Sequence, residues 1–407
     1  MSDDRIVRLL AVSPADHDIC WVRESLQAAI ELELATIPVY LCGLWSIKAP
    51  TPDNPNSAYA LIRSVVLEEM LHMGLACNML NAVGGVPQLT RPRYPGPLPG
   101  GVRPDVRVYL AGLSREVLRD VYMPIELPEL PAASREDTYP TIGSFYGAIA
   151  EAVSSLGPGV ITGERQLAIR IGLEQLTALT TLQEVRSAIT LIKEQGEGTG
   201  RDPEAPASGN ELAHFYKFGE IYNGKRYVKT GENPPQWAYA GAAVPFPEVW
   251  PMAEVPAGGY PALALERSFD EHFAVILQQL EEAWAAGGTK GNQLLTRAVG
   301  AMLDLGALGQ AIMQVPLPSG SGTYGPDFAA PAPVSFEADI APMLSRFRDN
   351  MMWRFDLANF EHVRANASLI YSRVCDSSFP MPPPYYAMLS PEQVRLFGRW
   401  IDEGCAR

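Results

Sequence analysis

Two short motifs in the chain place a carboxylate and an imidazole three residues apart. They are Glu69-x-x-His72 and Glu211-x-x-His214. Side chains three positions apart lie on the same face of an α-helix, so each pair can direct an oxygen and a nitrogen toward one point. The 407 residues contain only 5 histidines, and two of them fall in this spacing. The motifs therefore predict donor sets for a metal ion, each carried on a helix.

A further glutamate lies upstream of each motif. Glu33 falls in the middle of an apolar helical stripe over 24–47, whereas Glu31 points about 200° away from it. An unpaired carboxylate on a buried face is costly, so Glu33 needs a partner. Upstream of the second motif, Glu197 follows Gly196, where a helix can loosen and redirect a side chain. Glu197 is the preferred ligand there, with Glu194 as the alternative.

Together these residues match the ligand set of a dinuclear carboxylate site inside a four-helix bundle. The predicted metal ligands are Glu33, Glu69, His72, Glu197, Glu211 and His214. Carboxylate oxygens with only two imidazoles suit iron or manganese better than zinc. The competing interpretation is a pair of surface contacts at i,i+3, each worth a few tenths of a kcal/mol. That interpretation does not explain why Glu33, Glu69 and His72 all lie in apolar stripes.

The hydrophobic spacing predicts an all-α fold. The expected helices are 24–47, 58–83, 141–156, 164–178, 182–195, one that Asn210 caps, 268–286 and 292–313. Residues 88–105 and 225–262 are expected to be irregular, and 106–140 stay unassigned. Prolines and glycines concentrate in 315–335 and indicate a boundary. The expected organisation is a metal-binding domain over 1–314, a linker over 315–335 and a small helical domain over 336–407.

Composition limits the partners and the compartment. The net charge of −14 argues against nucleic acid or an anionic membrane as a partner. The N-terminus lacks the layout of a signal peptide, and no run of about 20 apolar residues is expected to span a bilayer. The 5 cysteines are scattered and form no C-x-x-C pair. These features predict a reduced, cytoplasmic protein.

Several stretches carry a family resemblance. The sequence ELATIPVYL at 33–41, followed by EEMLH at 68–72, resembles the ferritin superfamily, and GGVP at 84–87 resembles the helix end of bacterioferritins. The closer resemblance is to the ferritin-like domain of the iminophenyl-pyruvate dimer synthases of violacein and indolocarbazole biosynthesis. It rests on AAIELE at 28–33, EMLHM at 69–73, QGEG at 195–198 and HFYKF at 214–218. It covers about 20–315 and implies a ferritin-like four-helix bundle with the six metal ligands above.

The C-terminal segment resembles a class I cytochrome c. The sequence FEADIAPML at 336–344 is similar to its first helix, MPPP at 381–384 to its methionine loop, and the segment 390–404 to its last helix. The haem-attachment motif C-x-x-C-H is missing, since the chain reads RFRDNMMW at 346–353 where that motif belongs. We therefore expect no covalent haem, and Met381 is expected to pack as an apolar side chain.

These features predict a non-haem dinuclear-iron oxidase or oxygenase that acts on a small organic substrate with O2. The resemblance implies an amino-acid-derived substrate of a natural-product pathway. The alternatives are a coupling enzyme of the synthase type and a ferroxidase or iron-storage protein. The insertions at 88–140 and 225–262 are longer than bundle connections require and would obstruct a closed shell. A monomer or small homo-oligomer is therefore expected.

Overall fold

Two long helices near the start of the chain form the framework of the fold. After the short helix α1 (Arg5–Leu10), helix α2 spans Ile19–Trp45 and helix α3 spans Ala58–Ala82. Asp18 caps α2 by accepting a hydrogen bond from Trp21 N at 2.8 Å, and Ser57 caps α3 in the same way. At 1.5 Å per residue, both helices are long enough to present several turns to one core. The apolar spacing predicted both helices, and this prediction is confirmed.

The computed structural model describes residues 4–128, 141–171, 174–196, 203–205, 211–232, 235–260, 264–330, 334–375 and 388–407. The chain divides into two units, Met1–Ala330 and Pro331–Arg407. The further helices of the first unit are α4 (Arg115–Val117), α5 (Met123–Ile125), α6 (Ile142–Leu156), α7 (Leu182–Gly196), α8 (His214–Asn223), α9 (Ala264–Ala286) and α10 (Gly288–Ile312). A π-helical turn, Leu118–Tyr122, joins α4 to α5.

A bundle surrounds α2 and α3. Helix α6 packs against α2 and α7, and α3 packs against α7 and α8, while α9 and α10 pair with each other along the side. Helix α2 is long and apolar enough to cross a bilayer by length and composition, contrary to the expectation from the sequence. However, 94% of its most apolar window is buried inside the protein, as expected of the central helix of a bundle. The predicted all-α class is confirmed.

In the part of the chain that the structure describes, three small antiparallel hairpins interrupt the helices. They are β1 (Ile169–Ile171) with β2 (Glu174–Leu176), β3 (Glu204–Ala205) with β4 (Glu211–Leu212), and β5 (Lys225–Glu232) with β6 (Pro235–Ala243). The expected helix over 164–178 is therefore wrong, and part of the region expected to be irregular over 225–262 is a regular hairpin. A short apolar run fits helical spacing and strand alternation equally well, which is why periodicity misassigned the first hairpin.

The segment predicted as a linker is partly built into the first unit. Thr323 N donates to Pro251 O at 3.0 Å, and Phe328 is buried in the core between Trp45 and Phe273. Prolines and glycines therefore mark an ordered, irregular path here rather than a flexible connection. Residues 315–330 belong to the first unit.

The second unit is a small helical unit with its own core. Its helices are α11 (Ala341–Ser345), α12 (Arg348–Met351), α13 (Phe360–Ala365), α14 (Ala367–Cys375) and α15 (Pro391–Asp402). Trp400 is buried against Phe397 and Phe336, at ring separations of 5.6 and 6.0 Å. Ser390 caps α15 through a capping box with Gln393. The predicted packing of Met381 lies outside the described residues, and the resemblance to cytochrome c stays a prediction.

Candidate metal centre

The first group of metal-binding side chains lies between α2 and α3. Glu33 projects from α2, and Glu69 and His72 project from adjacent turns of α3. His72 Nδ1 lies 3.7 Å from Glu33 Oε2 and 3.9 Å from Glu69 Oε1. All three side chains are buried, with at most 5% of any residue exposed. The structure thus brings together the three residues that were predicted as the first half of the site.

A second group shares Glu69 with the first. His214, at the start of α8, places Nδ1 2.8 Å from Glu69 Oε1 and 3.5 Å from Glu126 Oε2. The rings of His72 and His214 lie nearly parallel, with centroids 5.6 Å apart. In each group the candidate ligand atoms all lie within 4.8 Å of one another. A carboxylate common to two such groups is the arrangement that a dinuclear site requires.

Glu126 was not among the predicted ligands. It follows α5, in a region that the sequence left unassigned. The one sequence feature that could have identified it is its position next to the apolar Ile125, which is buried in the structure. The preceding π turn is anchored on α2, because Tyr122 OH donates to Val39 O at 2.8 Å. Gly43 makes this approach possible, since a Cβ at that position would overlap the Tyr122 hydroxyl. The insertion thereby places a candidate ligand at the site.

The predicted second half of the site needs correction. Helix α8 begins at His214, whereas Glu211 lies in strand β4, so the two residues do not share a helix face. The Glu211 side chain is 57% exposed, with Oε2 3.1 Å from Lys217 Nζ. Glu194 is in neither ligand group of the described residues. Glu197 lies outside the described residues, so its predicted ligation stays a prediction.

Partners outside the ligand groups orient both imidazoles. His72 Nε2 lies 2.9 Å from Gln195 Oε1, and His214 Nε2 lies 2.8 Å from Glu68 Oε2. With the proton on Nε2, each ring turns the lone pair of Nδ1 toward the carboxylates. His214 Nδ1 is buried, and its contact with Glu69 lacks hydrogen-bond geometry, so this nitrogen has no hydrogen-bond partner in the described structure. The ring orientation fits a metal ligand.

A hydroxyl group holds one oxygen of each ligand carboxylate. The donors and acceptors are Tyr146 OH to Glu33 Oε1 at 2.6 Å, Thr36 Oγ1 to Glu69 Oε2 at 2.7 Å, and Tyr40 OH to Glu126 Oε1. In every case the other oxygen faces an imidazole Nδ1. The carboxylates are therefore held with one oxygen directed toward the common centre. None of the three was predicted from the sequence as a hydrogen-bond donor to a ligand carboxylate.

The buried carboxylates of the site lack a permanent cation as a partner in the described structure. In the described structure the recorded ion pairs of Glu33, Glu69 and Glu126 are with imidazoles alone. Burial and the charge of Glu126 raise the pKa of Glu69 to about 7, against the opposing effect of His214. Burial alone would lower the pKa of His214, but the surrounding carboxylates outweigh it and raise that pKa well above its usual value. Protons and metal ions would compete for this donor set.

Glu68 and Lys217 form a charged pair behind His214. Lys217 Nζ lies 2.5 Å from Glu68 Oε1, and both residues are buried. Although burial tends to raise the pKa of Glu68, the charges of Lys217 and His214 bring it down to about 2. Glu68 is therefore an ionised acceptor for His214. Sequence reasoning missed both residues, although Glu68 directly precedes Glu69 in an apolar helix.

Comparisons with known proteins find similarity to ferritin-like proteins. A family model described as Ferritin-like matches residues 26–223, a segment that contains every residue of both ligand groups. The crystal structure of a ferritin-like protein from Caulobacter vibrioides is 25% identical to this chain, with a TM-score of 0.51. The match covers 71% of this chain and 95% of that protein. A comparison with curated proteins found no match. The chain therefore has an all-α fold similar to that of ferritin-like proteins, with long insertions in its helical bundle.

Proposed function

We propose that the protein is a non-haem dinuclear-iron oxidase or oxygenase that uses O2 to oxidise a small organic molecule. The observation that carries this proposal is the position of Glu69, which belongs to both buried groups of ligands. Glu33 and His72 would hold one metal ion, and Glu126 and His214 the other, with Glu69 between them. Two ferrous ions would supply two of the four electrons that full reduction of O2 requires, and the oxidised substrate would supply the other two. Manganese fits the same oxygen-rich donors.

The protein's own residues would keep the site ordered and dry. The hydroxyls of Thr36, Tyr40 and Tyr146 hold the carboxylates, so these need not reorganise when a substrate reacts. Tyr40 packs against Phe218 at a ring separation of 4.9 Å, and Tyr122 packs against the same ring at 5.0 Å. This aromatic layer covers the side of the site next to Glu126. A water-excluding wall strengthens the electrostatic interactions inside it.

The proposed substrate class rests on the resemblance to the iminophenyl-pyruvate dimer synthases, which suggests an amino-acid-derived intermediate of a natural-product pathway. The irregular segment 88–105 and the hairpin of β5 and β6 support an enzyme rather than a storage subunit. Such additions lengthen the connections far beyond the usual 2–8 residues between bundle helices. Long insertions on a rigid scaffold are typical of binding sites for specific ligands.

Iron loading and oxygen uptake test the proposal. We expect purified protein loaded anaerobically with Fe(II) to retain about two iron ions per chain, as a dinuclear site requires. On exposure to air it should consume a limited amount of O2 and then stop, and light scattering should show a monomer or small oligomer. A large shell that continues to take up iron would favour storage. Loading near zero, or one zinc ion per chain, would refute the dinuclear centre.

A further inference from the structure

The two imidazoles of the metal centre have different outer partners. Behind His72, Nε2 meets the side-chain oxygen of Gln195, a neutral amide. Behind His214, Nε2 meets a carboxylate oxygen of Glu68. Glu68 and Gln195 are both buried, at 2% and 3% exposed, so solvent does not screen the difference. The two halves of the site therefore differ in charge, because His214 has a carboxylate behind it and His72 has a neutral amide.

Lys217 fixes the charged partner in place. Its Nζ lies 2.5 Å from Glu68 Oε1 and 3.1 Å from Glu211 Oε2. Glu68 Oε2 is left to face His214, so the two oxygens of this carboxylate are divided between the lysine and the imidazole. Glu68 lies on α3, whereas Lys217 and His214 lie one turn apart on α8. The ion pair thus joins the two helices directly behind the ring.

Besides packing, the contacts of Lys217 indicate one role, which is to hold Glu68 behind His214. Glu211 is largely exposed, so its interaction with Lys217 is screened by water and contributes little. A buried ion pair can often be replaced by apolar residues without loss of stability, so stability alone is a weak reason for one here. Its position behind a candidate metal ligand supplies a more specific reason. A carboxylate bound to the outer nitrogen of a ligating histidine fixes the ring and increases its basicity.

We propose that the Lys217–Glu68 pair makes the His214 side of the centre the tighter of the two metal positions, so that it fills first. This inference rests on the proposed dinuclear centre. Glu68 and Lys217 act through His214 and are positioning residues. Glu68 accepts from Nε2 and leaves Nδ1 for the metal, and Lys217 holds that carboxylate in place behind the ring. Gln195 gives His72 the same orientation without the charge, so that position binds more weakly.

Stepwise titration with Mn(II) alone tests the order of filling. Electron paramagnetic resonance of free Mn(II) under anaerobic conditions should show two binding steps in the unchanged protein. The His72→Ala variant should keep the tighter Mn(II)-binding step, and the His214→Ala variant should keep the weaker one. Glu68→Gln should weaken only the tighter step, by about 10- to 100-fold, the usual effect of losing an outer partner of a ligand. Gln195→Glu, the matched change on the other side, should strengthen the weaker step.

Further variants separate positioning from a structural role. Lys217→Met should lose the tighter Mn(II)-binding step, whereas Lys217→Arg should keep most of it. The double variant Glu68→Gln/Lys217→Met leaves no unpaired buried charge. It should therefore fold, and it should still lack the tighter binding step. Thermal unfolding without metal checks that each variant is folded. Equal weakening of both steps by Glu68→Gln, or no weakening, would overturn the proposal. If the unchanged protein binds no Mn(II) and no Fe(II), the metal centre itself is refuted.

Discussion

Replacing Glu126 tests the structure-based ligand set most directly. Glu126→Gln keeps the size of the side chain and an oxygen that can accept from Tyr40, but it removes the charge that faces His214. We expect metal loading to fall from about two ions per chain to about one, because only the group of Glu33, Glu69 and His72 stays intact. The matched change Glu211→Gln alters an exposed residue outside the cluster and should keep about two.

The expected size of the effect follows from binding linkage. At a free metal concentration 100 times the dissociation constant, each filled site stabilises the folded state by about 2.7 kcal/mol. Two filled sites therefore give about 5 kcal/mol, and Glu126→Gln should keep about half. Unfolding without metal measures the effect of the substitution on the fold itself, because the charge of Glu126 opposes ionisation of Glu69 but stabilises protonated His214. A smaller metal-induced gain would then report a lost ligand rather than a damaged fold.

Elemental analysis after anaerobic loading gives the stoichiometry, and denaturant unfolding with and without Mn(II) gives the free energy of unfolding in each state. Both measurements should rank Glu126→Gln below Glu211→Gln. The opposite ranking, with two ions in Glu126→Gln and one in Glu211→Gln, would refute the assignment from the structure and favour the ligand set predicted from the sequence.

Three further predictions concern the same unit. Glu33→Ala should lose about one metal ion, whereas Glu31→Ala, on the other face of α2 where Glu31 pairs with Arg5, should lose none by elemental analysis. Gly43→Ala should displace Tyr122 and lower metal affinity on the Glu126 side in a Mn(II) titration, with little effect on the other side. Burial, followed by the charge of Asp327, raises the pKa of Glu266 to about 9 and that of Asp270 to about 8. The folded state therefore holds protons that the unfolded chain releases from about pH 4 upward, so stability falls as the pH rises toward 9. The double variant Glu266→Gln/Asp270→Asn should flatten this fall in thermal unfolding measured from pH 5 to pH 9.

The part of the site that could be predicted from the sequence is the part that two long helices encode locally. Glu33, Glu69 and His72 each lie in an apolar stripe of α2 or α3, and helical periodicity fixes which side chains share a face. Once two such faces pack together, the three polar groups have to meet. The same reasoning correctly predicted that Glu31 points away from the site.

The remaining contacts depend on tertiary structure that periodicity does not describe. Glu68 is one residue from Glu69 and points about 100° away, so it acquires a role only when α8 brings His214 and Lys217 beside it. Gln195 becomes part of the site only where α7 passes behind His72. Hairpin β1–β2 was missed because its short apolar run fits more than one periodicity. Hairpin β5–β6 was missed because the prolines, glycines and aromatic residues of 225–262 indicated an irregular segment.

The positions of Glu211 and Glu126 show why the second motif described only part of the arrangement around His214. A Glu-x-x-His spacing directs both side chains to one point only if all four residues are helical, and here the helix starts at the histidine. A carboxylate that does face His214 Nδ1 belongs to Glu126, in an insertion that the Tyr122 hydroxyl connects to α2. A metal centre requires an oxygen at a given place, whichever element carries it. The insertion before Glu126 is thus part of the candidate centre as well as a covering for the bundle, and changes such as Gly43→Ala should act on metal binding from outside the ligand set.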